Sequence, residues 1–109
     1  MTQVDKNGNI IHIEGDTFKL TLFDIKDDGV AFDFTNYKAT LKCVDSDDVV
    51  LFTLTEATGI ALLDGTMILT DPDGIIKALT QGTYYYSLKI TDDGGNTDTW
   101  FYNKNFIVQ

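Results

Sequence analysis

The sequence predicts an all-β protein: an immunoglobulin-like antiparallel β-sandwich of about seven strands with one short helical turn. Clusters rich in Asp and Gly recur at short intervals, and the segments between them alternate apolar and polar residues with the period of two typical of strands. A third observation is the spacing of Leu79, Gly82 and Tyr84 at the start of one such segment. This spacing is typical of a tyrosine corner, in which a Tyr hydroxyl bonds back to the arch before its strand.

The alternation places each element in turn. The predicted strands lie near residues 10–14, 17–24, 37–44, 49–55, 66–70, 84–91 and 98–108. In the second of these, Phe18, Leu20 and Leu22 share one face, whereas Lys19 and Thr21 share the other. Residues 74–79 are predicted to form the helical turn and to cap one end of the core. A chain of 109 residues is long enough for a single domain, residues 1–109.

The last hairpin is predicted from the turn cluster at residues 92–95. A three-residue loop that ends in Gly94 at positive φ fixes which residues of the two strands enter the core. The residues assigned to the core are Tyr84, Tyr86, Leu88, Ile90, Trp100, Tyr102, Phe106 and Val108. A two-residue loop would instead expose Trp100 and Tyr102. The first arrangement buries more apolar surface, and it is the one we predict.

This register assigns two groups of functional residues. The residues predicted to face outward and to form an interface are Tyr85, Phe101 and Ile107. The residues predicted to hold the fold are Leu79, Gly82, Tyr84 and Trp100.

Charge and composition exclude several classes of function. The net charge is −9, from seventeen acidic residues and eight lysines, with no Arg. Such a chain repels phosphate and lacks the side chain used for bidentate anion binding, so nucleic acid is not an expected partner. The first residues carry neither a basic nor an apolar signal region, and no apolar run approaches the length of a membrane span. A single Cys also excludes an intramolecular disulfide. We therefore expect folding in a reducing cytoplasm, or export from it inside an assembly, without secretion by a signal peptide.

The residue types that carry chemistry are sparse. His12 lies between Ile11 and Ile13 in a predicted strand, so it should point away from them, toward solvent or an edge. Cys43 should be a buried, inert thiol. One His and one Cys do not supply a zinc site, and no metal or cofactor is expected. The Asp-rich turns match tight-turn chemistry better than calcium spacing, with a weak calcium site between loops as the alternative.

No catalytic motif emerges. The two Ser residues lie outside any nucleophile elbow, and no Gly-rich loop joins a strand to a helix. A small sandwich with short loops also seldom forms a cleft that buries a substrate. The sequence therefore predicts a protein that is not an enzyme.

The order of motifs resembles the N-terminal domain of phage baseplate upper proteins and related phage tail proteins. The resemblance is carried by the segments 15–22, 28–35 and 82–88 and by the closing strand 100–108, and it covers about Gly15 to Val108. In that family the domain is an immunoglobulin-like assembly module that packs with copies of itself and with other baseplate proteins. Either a longer protein was trimmed at Gln109, or the chain is a free-standing short virion protein.

The resemblance implies a structural component of a tailed-phage virion or prophage, a tail or baseplate module made in the host cytoplasm. Its expected partners are other tail or baseplate proteins, together with copies of itself, and no membrane is involved. The alternative is an immunoglobulin-like module that binds a surface saccharide through the outward aromatic residues Tyr85 and Phe101.

Overall fold

The computed structural model describes residues 2–109, which are built from strands and turns. The strands are β1 (Thr2–Val4), β2 (Ile10–His12), β3 (Lys19–Leu22), β4 (Lys26–Asp27), β5 (Val30–Ala31), β6 (Lys38–Val44), β7 (Val50–Thr55), β8 (Ile60–Leu63), β9 (Thr66–Thr70), β10 (Gly82–Thr91) and β11 (Thr97–Val108). Within the described range no segment is helical, and in particular no helix is long and apolar enough to cross a membrane.

The strands form a sandwich with immunoglobulin topology, as the sequence predicts. One sheet has the order β1-β2-β11-β10-β6-β7, and a second sheet of three strands has the order β3-β9-β8. Strands β11, β10, β6 and β7 correspond to G, F, C and C′ of an immunoglobulin domain, and β3, β9 and β8 correspond to B, E and D. One pair departs from the antiparallel pattern, because β2 lies parallel to β11.

The core lies between the two sheets and is filled by alternate residues of each strand. From the large sheet β6 contributes Ala39, Leu41 and Cys43, all almost fully buried. From the small sheet β9 contributes Met67 and Leu69. The alternation that marks these segments as strands in the sequence is therefore the alternation between core and solvent.

All seven predicted strands are present, and the structure adds strands that the sequence does not mark. Strand β8 is the D strand, and the short hairpin β4–β5 turns at Asp28 and Gly29, both at positive φ. The predicted helical turn at residues 74–79 is not assigned as a helix. This segment forms turns, with Ala78 N–H bonded to the Gly74 carbonyl at 3.2 Å. Ile76 nevertheless packs into the core, so the segment does close one end of the sandwich.

Three hairpin loops share one local structure. Each begins with an Asp (Asp5, Asp45 or Asp92) whose Oδ1 accepts the backbone N–H groups two and four residues later, at 2.8–3.0 Å. The fourth residue of each loop has positive φ, and in the last hairpin this residue is Gly95 rather than the predicted Gly94. The loop has the predicted odd length, but its left-handed position lies one residue later.

Two β-bulges in β11 change the register that this loop begins. Strand β11 has 12 residues against 10 in β10, and the pairing shifts between Tyr86 and Leu88 and again between Leu88 and Lys89. Each bulge inverts the inward and outward positions, so the parity is reversed between the two bulges and is restored after the second. The predicted burial of Phe106 is confirmed for this reason.

Between the bulges two predictions are wrong. Tyr102, predicted in the core, is 74% exposed. Phe101, predicted to face outward, lies opposite Leu88 and packs against the ring of Tyr86, with centroids 6.0 Å apart. Trp100 does pack against the core and meets Phe32 edge to face at 5.5 Å, but it stays only partly buried.

The tyrosine corner has the predicted hydrogen bond. The Tyr84 hydroxyl donates to the Thr80 carbonyl at 2.8 Å, across the arch that leads into β10. Leu79 packs against the core beside this arch, and Gly82 lies next to the Tyr84 ring. This hydrogen bond ties the arch between the two sheets to the first residues of β10.

Candidate interface on the outer sheet face

The outer sheet face is the side of the six-stranded sheet that points away from the three-stranded sheet. Its charge differs from that of the rest of the chain. The six strands contain a single acidic residue, Asp98, although the whole chain has seventeen. Asp98 pairs with Ile90, whose side chain is in the core, so it belongs to the inner side. The strand positions that point outward therefore carry no carboxylate.

Three lysines and two tyrosines distinguish this face. Lys38 and Lys42 project from β6, because they alternate with buried Ala39 and Leu41. Lys89 projects from β10 beside them, since β6 and β10 are paired throughout this region. The outward strand positions of this face therefore hold only lysines and uncharged residues, although the net charge of the whole chain is −9.

Two shallow grooves lie side by side on this face. One has a volume of about 290 Å³ and is lined mainly by Lys42, Tyr85, Tyr102 and Asn103, with Asp48 of the β6–β7 loop at its rim. The other, of about 210 Å³, is bounded by Lys42 and Tyr102 together with Thr40, Ser87 and Lys89. Because both grooves include Lys42, Ser87 and Tyr102, they form one continuous depression.

The second bulge of β11 is what places Tyr102 in this depression. Tyr102 and Asn103 together stand opposite Ser87, so the strand bends outward there. Asn103 adopts positive φ, and its N–H donates to Ser87 Oγ at 3.1 Å, which holds the bulge to β10. The position of Tyr102 in the depression thus depends on a backbone irregularity of β11.

The predicted interface residues are only partly brought together. Tyr85 lines the larger groove, and Ile107 lies on the same outer face opposite Thr83, half-buried. Phe101 does not belong to the face, because it lies under the β1–β2 loop, where a Cβ on Gly8 would meet its ring at 2.8 Å. Tyr102 takes the place that Phe101 was expected to fill.

His12 is a second correction. It was expected at the surface, yet it is fully buried on the inner face, with its ring 5.6 Å from that of Phe18. Its Nδ1 is 2.7 Å from the Thr2 hydroxyl, and its Nε2 has no hydrogen-bond partner among residues 2–109. Burial lowers the pKa of His12, and the backbone of Asp16, followed by the carboxylates of Asp16 and Asp71, acts more weakly in the opposite direction.

Cys43 lies where the sequence places it, buried on the inner face of β6. Burial raises the pKa of its thiol to about 12, so the thiolate that a nucleophile requires does not form near neutral pH. Within the described part of the chain, no three His, Cys, Asp or Glu side chains come together in a way that could hold a metal ion.

The Asp-rich turns use their carboxylates for the loops themselves. Asp92 accepts from the backbone of Gly94 and Asn96, and its Oδ2 accepts the Asn96 side chain at 3.2 Å. These hydrogen bonds, first that from the Asn96 backbone, lower the pKa of Asp92. The same arrangement at Asp5, with Asn9, lowers the pKa of that carboxyl.

One end of the sandwich carries an acidic pocket, which we call the acidic end. Its volume is about 290 Å³, and its lining residues are Asp27, Phe32, Tyr37, Ile90, Asp92, Asn96, Asp98 and Trp100. Val30, the strand partner of Asp27, is 68% exposed beside it. Carboxylates, aromatic rings and an exposed apolar side chain therefore meet at this end.

Sequence reasoning missed Lys42, Lys89 and Tyr102 as candidate interface residues. For the two lysines a signal was present, because each alternates with core residues in a strand that was correctly predicted. Tyr102 was exposed only in the alternative with a two-residue loop, whereas in the structure the bulges turn it outward.

No family model, curated protein or solved structure matches the chain. The fold and the charge pattern of the outer sheet face are therefore the observations on which a functional proposal has to rest.

Proposed function

We propose that the chain is a non-enzymatic structural component of a tailed-phage virion or prophage, a tail or baseplate module that assembles through its outer sheet face. The observation that carries this proposal is the combination of Tyr85, Tyr102 and three lysines on an uncovered sheet face without outward carboxylates. Tyr is enriched at protein interfaces because it offers a large rigid surface and a polar tip.

The charge distribution supports contact at this face. With a net charge of −9, copies that approach one another through their acidic loops repel. The outer sheet face is the region where another acidic protein can approach without that cost. In a ring or tube, a modest contact of this kind is repeated in each copy, so effective concentration compensates for a weak single interface.

To test this proposal, co-sedimentation measures how strongly the protein binds purified tail and baseplate proteins whose genes lie beside its own. The Tyr85→Ala/Tyr102→Ala variant should bind at least about tenfold more weakly, because truncation removes the aromatic contacts of the interface. Ile75→Ala is the matched control, since Ile75 is 44% exposed but lies in the turn segment at residues 74–79. Full binding by the double variant, or equal loss in both, would contradict the proposal.

A second candidate function, binding of a surface saccharide, is favoured by the grooves themselves. Tyr102 and Tyr85 offer rings for stacking on a sugar, and Ser87 and Thr40 offer hydroxyl groups beside them. The aromatic pair differs from the one expected from sequence, since Tyr102 replaces Phe101. Calorimetric titration with host cell-wall oligosaccharides tests this function, and saturable heat that disappears in Tyr102→Ala would favour it over assembly.

A further inference from the structure

We propose that the outer sheet face binds the acidic end of a second copy of this chain, in a head-to-tail contact. This inference deepens the proposed function by naming the partner at the same face. In this contact the outer sheet face of one copy meets the acidic end of the next copy, so the two surfaces in contact are different.

The face supplies the positive half of the contact. Lys42 and Lys89 border the smaller groove from adjacent strands, with Tyr102 beside them, so two ammonium groups flank one exposed aromatic ring. Neither lysine has an acidic neighbour on the outward positions of its own or the paired strand. Asp48 shares the larger groove with Lys42, but no ion pair joins either lysine to a residue in the range 2–109. The two ammonium groups are therefore available to carboxylates of another molecule.

The acidic end supplies a complementary half. Asp27 and Asp98 stand at a pocket whose wall includes the rings of Trp100, Tyr37 and Phe32. A lysine side chain suits such a pocket, because its ammonium group is attracted both to carboxylates and to aromatic faces. Exposed Val30 beside the pocket adds apolar area that burial against Tyr102 would remove from water.

A contact between two different surfaces is heterologous, and it propagates from copy to copy. It closes into a ring when the rotation between copies divides a full turn, and otherwise it continues as a filament. Each copy keeps one free face and one free end until the assembly closes.

The experiment uses two double charge reversals, K42E/K89E on the face and D27K/D98K on the acidic end, studied by sedimentation velocity. Each variant alone should associate at least about tenfold more weakly than wild type, because like charges then meet in the head-to-tail contact. An equimolar mixture of the two should associate again, since the acidic face of one variant meets the basic end of the other and the reverse contact is also matched.

The matched control is K19E/K77E, which changes the net charge equally at lysines outside the face and should leave association less affected than K42E/K89E. Thermal melting of each variant confirms that it is folded. Failure of the mixture to associate, or equal loss in the control, would overturn the head-to-tail contact. Binding to tail proteins that depends on Tyr85 and Tyr102 without any self-association would overturn this inference alone, whereas self-association without binding to tail proteins would overturn only the proposed function.

Discussion

Acidification should destabilise the protein through His12. The side chain is fully buried, its Nε2 has no hydrogen-bond partner in the described range, and burial lowers its pKa. The unfolded chain therefore takes up a proton near the ordinary His pKa of about 6.5, whereas the folded chain does so only at lower pH. Above the His pKa of the unfolded chain, this proton does not affect the free energy of unfolding. Below that pKa, the free energy of unfolding falls as the pH drops.

The size of this loss in the free energy of unfolding follows from the one proton that the unfolded state binds and the folded state does not. Each pH unit below the unfolded pKa costs at most about 1.4 kcal/mol, so the loss between pH 7 and pH 5 is at most about 2 kcal/mol. His12 is the only histidine, so no other side chain is expected to change charge over most of this interval. Urea unfolding at a series of pH values measures the loss directly.

His12→Asn is the control variant, because its amide can retain a hydrogen bond to the Thr2 hydroxyl but does not titrate. It should be less stable than wild type at pH 7, owing to lost packing against Phe18, but nearly independent of pH between 7 and 5. Wild-type stability that does not change over this interval, or an equal fall in His12→Asn, would refute the reasoning.

Three further variants test the fold. Tyr84→Phe removes the hydrogen bond to the Thr80 carbonyl and should cost about 1 kcal/mol in urea melts, and no change would contradict a stabilising role for the corner. Trp100→Ala should cost about 2–3 kcal/mol, less than for a fully buried ring, with wild-type Trp fluorescence only partly shielded from acrylamide; full quenching would be inconsistent with the packing. Gly8→Ala should lower the melting temperature, because Gly8 has φ +85° and an added Cβ would lie 2.8 Å from the Phe101 ring, and an unchanged midpoint would show that the loop is looser than described.

The sandwich could be predicted because its strands are simple. In β6 every second residue is apolar and buried, so a period of two in the sequence is enough to locate the strand and its inner face. The short hairpin β4–β5 escaped prediction because each of its strands has only two residues. Strand β8 escaped it because its four residues are all apolar and show no alternation. The turn at residues 74–79 has apolar spacing that a helix and a capping loop share.

The orientation of His12 could not be predicted for a related reason. Ile10, Ile11 and Ile13 surround it, so the segment has apolar residues on both faces and its parity is undetermined. The parallel pairing of β2 with β11 decides it, since this pairing turns Ile10 and His12 inward and leaves Ile13 40% exposed. That choice depends on a strand almost a hundred residues later in the chain.

The candidate interface was predictable in part. Tyr85 was correctly placed on the outer face, and the outward lysines follow from the same alternation. The exposure of Tyr102 appears in the sequence only as the alternative two-residue loop, which we did not choose. The loop alone does not decide it, because two bulges that cancel each other leave the ends of β11 in the expected register. Only the segment between them is inverted, and it contains the most exposed aromatic residue of the face.

Site-specific photo-crosslinking in assembled particles tests the central claim most directly. A photoreactive phenylalanine analogue replaces Tyr102 on the outer sheet face or, in the control, Ala61, which is exposed on the three-stranded sheet. Position 102 should give a specific crosslinked product with another tail subunit or a second copy of the chain, and position 61 should give none. Crosslinks from position 61 alone, or from neither position in particles that contain the protein, would contradict assembly through the outer sheet face.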